Sequence, residues 1–207
     1  MAAGVSPNSS IVKIFVKTTL PTQVPLWTQR TLFAAGILML GYCGFVLVDT
    51  WAFQKQETAA LERFVPQALV ASPTVVGPDG LIGRLGVERL GVSVMVMEGT
   101  SNKTLRRAVG HVSGTALPGQ AGNVGIAGHR DTFFRPLRNI QADDIITLTT
   151  QQGEYRYRVV STKVVRPENV EVLNSDSGEI LTLVTCYPFY FLGSAPDRFI
   201  VRASRVT

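Results

Sequence analysis

Three residues have the types and spacing to do carbonyl chemistry together: Cys186, Arg198 and His129. Cys186 is the only cysteine outside an apolar N-terminal segment, and Arg198 follows it by twelve residues. Cys186 ends the β-prone run 180–185 and Arg198 opens the run 199–201, with Pro188, Gly193, Ser194, Ala195 and Pro196 demanding a loop between them. Sequential strands joined by a short loop are neighbours by default, so the thiol and the guanidinium are expected side by side. A cation next to a thiol favours the thiolate, the form that attacks a carbonyl carbon. Such an attack also needs a proton carrier for the leaving amine. The chain holds two histidines for that task. His129, in GIAGHRDTFF, follows the brief strand 123–127, and Gly128 lets the backbone turn so that the ring projects from the sheet rim. His111, in GHVSGTALPG, has a loop setting and reads as a structural or surface group.

Each of these residues has a blander reading. Cys186 fits a buried core thiol, the common fate of a free cysteine. Arg198 fits a surface strand residue or a partner for Asp197 or Glu179, and Arg202, four residues on and on the same strand face, rivals it. On residue chemistry alone both sets of readings stand.

The elements that must position these groups are short strands. Alternating Leu85, Val87, Leu90, Val92, Val94 and Val96 predict two strands from about Leu81 onward, interrupted at Gly86 and Gly91. Thr100 or Ser101 caps a helix predicted over 102–109, which Gly110 ends. Residues 131–137 predict a single helical turn, 145–149 and 154–165 a hairpin across Gln151, Gln152 and Gly153, and 167–179 a long polar loop. Seven or eight short strands with few helices predict a mainly β fold, a closed or nearly closed barrel.

Ahead of the barrel, residues 31–48 run eighteen positions without a charge, with Trp27, Tyr42, Trp51 and Phe53 near the edges as interfacial anchors. Residues 1–30 carry Lys13, Lys17 and Arg30 and no acidic residue, which predicts a cytoplasmic N-terminal segment. No A-x-A-like cleavage site follows the apolar run, so it reads as an uncleaved signal anchor rather than a signal peptide. The expected organisation is therefore 1–30 cytoplasmic, 31–50 transmembrane, 51–80 a helical stalk and linker, and 81–207 a catalytic domain outside the cytoplasm. Within the stalk, residues 49–64 predict a short helix ended by Pro66. Cys43 lies in the apolar segment, far from Cys186, so each thiol is expected free. A net charge of +5 without any run of four basic residues gives nucleic-acid binding no support.

The TLVTC that ends at Cys186, the arginine twelve residues later and the upstream GHR at 128–130 together resemble the signature of the sortases. The passage GTALPGQAGNVGIAGHRDTFFRPLRNI resembles the class D branch in particular. The resemblance spans about 81–206 and implies an eight-stranded sortase barrel with a cysteine transpeptidase activity. It implies that Cys186 attacks the Thr to Gly bond of an LPXTG-like sorting signal on a secreted protein. His129 would then protonate the departing amine, and Arg198 would steady substrate and oxyanion. An amine acceptor, such as a peptidoglycan precursor or a pilin subunit, would resolve the thioacyl enzyme. Thr185 either lines the substrate groove or packs within its strand.

No cofactor and no metal are assigned. In some sortases an acidic loop binds calcium, and Glu168, Glu171, Asp176 and Glu179, with Asp143 and Asp144 nearby, are the acidic residues here, but their spacing matches no EF-hand. Two alternatives remain at this level. One is an envelope thiol hydrolase, whose L,D-transpeptidase form carries an SHGC-like motif absent from this chain. The other is a membrane-tethered binding module without turnover, which predicts loss of Cys186, His129 or Arg198.

Overall fold

The computed structural model describes residues 25–62, 74–175, 178–190 and 193–206. By internal contacts the chain divides into two units, 1–44 and 45–207.

Helix α1, Leu26–Glu62, is one unbroken element of 37 residues. The sequence predicts an apolar span followed by a separate helix; no proline or turn residue stands between them, so the backbone ladder continues through Asp49 and Thr50. Its stretch Leu26–Gln56 has mean hydropathy 2.1 and is not buried within the protein. At 1.5 Å per residue the helix is about 55 Å long, well beyond the hydrocarbon thickness of a bilayer. The surplus is used within the second unit. Phe53 packs on Leu81, Met95 and Ala108. Gln54 accepts from the Met95 N–H at 3.0 Å and donates to the Arg107 carbonyl at 2.6 Å, while Arg107 forks onto Asp49 at 2.9 and 3.1 Å. Residues 63–64 of the predicted stalk helix and 66–73 of the linker predicted up to residue 80 lie outside the described residues.

Eight strands follow: β1 Leu81–Val87, β2 Val92–Glu98, β3 Val109–His111, β4 Gly122–Ala127, β5 Ile145–Thr150, β6 Gly153–Val165, β7 Glu179–Tyr187 and β8 Asp197–Val206. They close into a barrel in the order β1-β2-β3-β4-β7-β8-β6-β5, sealed where Gly83 of β1 opposes Thr150 of β5. The closed barrel predicted from the short alternating runs is therefore the fold, with differences in detail. Gly86 does not interrupt β1; only Gly91, at φ 62°, makes the turn into β2. Helix α2, Asn102–Arg107, is capped by Ser101, whose hydroxyl accepts from the Thr104 N–H, but it stops two residues short of its predicted end. Val109 instead opens β3, Val109–His111, parallel to β2, because pairing and burial there outweigh its place at the end of the predicted helix. One short 3-10 helix, Arg135–Asn139, occupies the predicted helical turn, and another, Val170–Leu173, lies in the predicted polar loop.

Inward alternation builds the core. Leu85, Ile126, Leu148 and Leu183 are at most 1% exposed, each burial contributing about 1.5–3 kcal/mol. In β6, Tyr155, Tyr157 and Val159 point in while Arg156 and Arg158 point out.

Candidate active site

Strand β7 has β4 on one side, parallel, and β8 on the other, antiparallel. On the β8 side Cys186 and Arg198 are direct register partners. On the β4 side Ala127 stands beside Val184, and the Gly128 N–H extends the ladder by donating to the Val184 carbonyl at 3.1 Å. Two residues beyond Ala127 is His129, and two beyond Val184 is Cys186. The cysteine and the arginine thus stand opposite one another on adjacent strands, and the histidine lies in the turn just beyond the end of the strand on the other side of the thiol. All three line one cleft of about 250 Å³, together with Arg130, Asp131, Gly193, Ser194 and Ala195.

Local chemistry explains how each is held. Gly128 has no positive φ, so its need is for space rather than for a special turn: a Cβ there would sit 2.7 Å from Phe134 Cδ2 and 2.9 Å from Val109 Cγ1. The Phe134 N–H closes a turn onto the His129 carbonyl at 3.2 Å, and its ring is fully buried. His129 is left on the exposed side of that turn. Cys186 is half-buried. The Arg198 guanidinium donates through Nη1 to the carbonyls of Asp197, at 2.9 Å, and Ala195, at 3.3 Å. Its rival Arg202 stands opposite Thr182, four register positions from Cys186. Glu179, a potential partner of Arg198, pairs with Arg205 at 3.3 Å.

Thr185 alternates to the other face of β7. It is 3% exposed, and its hydroxyl donates to the Gly128 carbonyl at 2.7 Å, which ties the backbone before His129 to the backbone before Cys186. Of the two places open to it from the sequence, the packed interior is where it sits, rather than the wall of the cleft. His111 is away from the cleft altogether. Buried in β3, its Nδ1 lies 2.7 Å from Glu98 Oε2 and its Nε2 3.0 Å from both the Ala116 carbonyl and Thr115 Oγ1.

Two positioning residues escaped the sequence reading. Asn123 donates to the Val172 and Asn174 carbonyls at 3.0 and 3.3 Å and accepts from the Thr182 hydroxyl at 2.8 Å, so it pins the loop between β6 and β7 against the outer face of β4 and β7. The signal was a polar residue in each of two apolar strands. Arg130 is buried against the loop between β7 and β8, and only its place in GHR hinted at a role. Of the acidic residues, Asp144 is bound by Arg89 and by the Gln141 N–H, and the Arg89 hydrogen bond holds its carboxyl below the ordinary range. Asp176 lies outside the described residues. Among the described residues no three His, Cys, Asp or Glu side chains converge to hold a metal.

A closed eight-stranded barrel with Cys and Arg opposite one another on two strands and a His just past the end of a third, following an apolar N-terminal helix in the chain, defines a class of cysteine enzymes. The family model described as Sortase domain matches residues 85–206. Sortase D of Bacillus subtilis is 30% identical over 190 residues, covering 85% of this chain and 96% of that protein. Sortase SrtE1 of Streptomyces coelicolor is 35% identical over 136 residues, 56% of this chain and 39% of that one. Among solved structures, a Clostridium perfringens Sortase D5 transpeptidase is 32% identical with a TM-score of 0.57, covering 62% of this chain and 80% of that one. Sortase A of Corynebacterium diphtheriae is 32% identical with a TM-score of 0.58, covering 61% of each chain. The chain belongs to the sortase family and is a sortase-type cysteine transpeptidase. Its N-terminal apolar helix fits membrane anchoring.

Proposed function

We propose that this transpeptidase cleaves an LPXTG-like sorting signal between Thr and Gly and joins the secreted protein that bears it to an amine of the cell envelope or of another protein. The observation that carries the reading is that His129 lines the same cleft as Cys186 and Arg198, which are register partners. In this mechanism Cys186 Sγ bonds to the threonine carbonyl carbon, and Arg198 donates to the oxygen that gains charge. To do so its guanidinium exchanges the Ala195 and Asp197 carbonyls for substrate. The C–N bond breaks as His129 gives a proton to the departing glycine amine, leaving a thioester on Cys186. An acceptor amine attacks that thioester, His129 takes its proton, and the Cys186 thiolate leaves as the new amide forms. Thr185 serves by holding Gly128, and through it His129, at the height of Cys186. In the same reading residues 1–30 are cytoplasmic, 31–50 cross the membrane, 51–80 form the stalk and 81–207 act outside.

The test is full-length protein in detergent, incubated with an LPXTG-type peptide and excess amine and followed by intact-mass spectrometry. A thioacyl adduct on Cys186, with product joined to the amine after Thr, is the expected result. Cleavage at another bond, or an adduct that persists in Cys186→Ala, overturns the reading.

A further inference from the structure

Arg130 stands beside His129 yet has a different kind of environment. Its side chain is 6% exposed, and burying a guanidinium is costly unless its donors are met. Nη1 donates to the Pro188 carbonyl at 2.8 Å and Nη2 to the Gly193 carbonyl at 2.9 Å. Asp131 lies 3.5 Å from Nε, but that carboxylate is 72% exposed, so the pair is worth little beside the part-buried, charge-assisted bonds to Pro188 and Gly193. Both carbonyls belong to the connection between β7 and β8, one on its outgoing limb and one on its returning limb. This connection starts just after Cys186, ends just before Arg198, and supplies Gly193, Ser194 and Ala195 to the cleft. Ala195 in turn accepts from Arg198. One buried side chain on the histidine-bearing segment therefore sets the wall opposite that histidine and, through Ala195, the resting place of the Arg198 guanidinium. A second contact from the same segment, Arg138 over the Tyr190 ring at 5.5 Å, joins an exposed ring and is weak by comparison.

We propose that Arg130 is a positioning and specificity residue: its forked guanidinium fixes the two limbs of the β7 to β8 connection at the width the peptide substrate needs. The proposal rests on the transpeptidase reading for its substrate but not for the clamp itself. Geometry makes the fork essential, because a lysine ammonium is a point donor that reaches one limb and not both.

Arg130→Gln and Arg130→Lys, made in the full-length protein in detergent, are compared with the unaltered protein by three measurements. Hydrogen exchange of peptides covering 186–198 is expected to quicken about tenfold in Arg130→Gln, with the other strands within about twofold. For an LPXTG-type peptide, KM is expected to rise about tenfold while kcat stays within about threefold, with Arg130→Lys intermediate. Alkylation of Cys186 by iodoacetamide is expected to stay within about twofold, since the pairing of β7 with β8 that sets Arg198 opposite Cys186 does not involve Arg130. Unchanged exchange and unchanged KM overturn the proposal, and so does exchange that rises uniformly over the barrel with kcat falling at constant KM, the mark of a merely structural arginine. If the unaltered protein cleaves no such peptide, the sorting-signal reading fails, and exchange across 186–198 alone then decides the clamp.

Discussion

The two histidines occupy opposite situations in one barrel. His111 sits inside, with both ring nitrogens facing acceptors from Glu98, Ala116 and Thr115, so its chemistry is absorbed in holding β2, β3 and the following loop together. His129 sits on the exposed side of a turn, and its ring has no hydrogen-bond partner among the described residues. It is fixed through its backbone instead, by the Gly128 and Phe134 amides and by Thr185. A side chain whose bonds are all made in the fold has nothing to offer a substrate, whereas one held only from behind keeps its donor and acceptor for chemistry. The same division separates the two arginines of the cleft: Arg130 is buried in fixed bonds, and Arg198 is half-buried and rests on carbonyls it can leave.

The sharpest way to break this contrast is at the thiol. Cys186→Ala is expected to lower turnover by about 10⁴-fold or more while leaving the thermal midpoint within about 2 °C, because a half-buried sulfur contributes little to packing. Single-turnover mass spectrometry beside a melting curve checks both halves. His129→Ala is expected to cost about 10²–10⁴-fold in kcat with a similarly small change in melting. His111→Ala inverts that pattern. It leaves Glu98 with Ser113 alone and the Ala116 carbonyl without its partner, a loss of about 1–3 kcal/mol that lowers the midpoint by about 5 °C or more, with kcat of the folded protein nearly kept. Comparable losses of turnover and of stability in both variants would abolish the distinction.

Gly128→Ala is expected to disturb both properties at once. The added methyl meets Phe134 and Val109 and pushes either the core or the His129 turn out of place. Its signature is a stability loss of about 1–3 kcal/mol together with a fall in kcat, read from denaturant titration and steady-state rates.

The smallest effect concerns acid. The Asp144 carboxyl is held below the ordinary value of 3.8 by its hydrogen bond from Arg89, so it stabilises the folded state while ionised, and that contribution disappears as the pH falls from 3.8 through the lowered value. Asp144→Asn should therefore be less stable than the unaltered protein at pH 7 and approach it below pH 3.8, as melting curves across that window would show.

Much of this was legible in the chain itself. Period-two alternation at 92–96 and 155–159 marks strands because burial on one face of a sheet requires it, and the eighteen uncharged residues at 31–48 mark a span because a charge in hydrocarbon is costly. The loop between Cys186 and Arg198 announced itself through Pro188, Gly193 and Pro196, and a short connection between sequential strands makes them neighbours. What the chain could not state was anything that depends on pairing across long sequence distances. The short strand β3, Val-Gly-His, is too brief to show a strand pattern of its own and becomes a strand only because β2 and β4 lie ready to pair with it. The parallel register of β4 with β7, which brings His129 level with Cys186, joins residues 57 apart and leaves no local mark. Nor could the sequence tell Thr185 in the wall from Thr185 in the core, since a threonine fits either face of a strand and only the closed barrel defines which side is inside. Sequence alone supplied the reactive residue types and the strands that carry them, because those follow from local chemistry and periodicity. Their convergence on one cleft, and the buried Arg130 and Asn123 that hold its walls, were decided by the tertiary structure, because only there do the hydrogen bonds between distant segments exist.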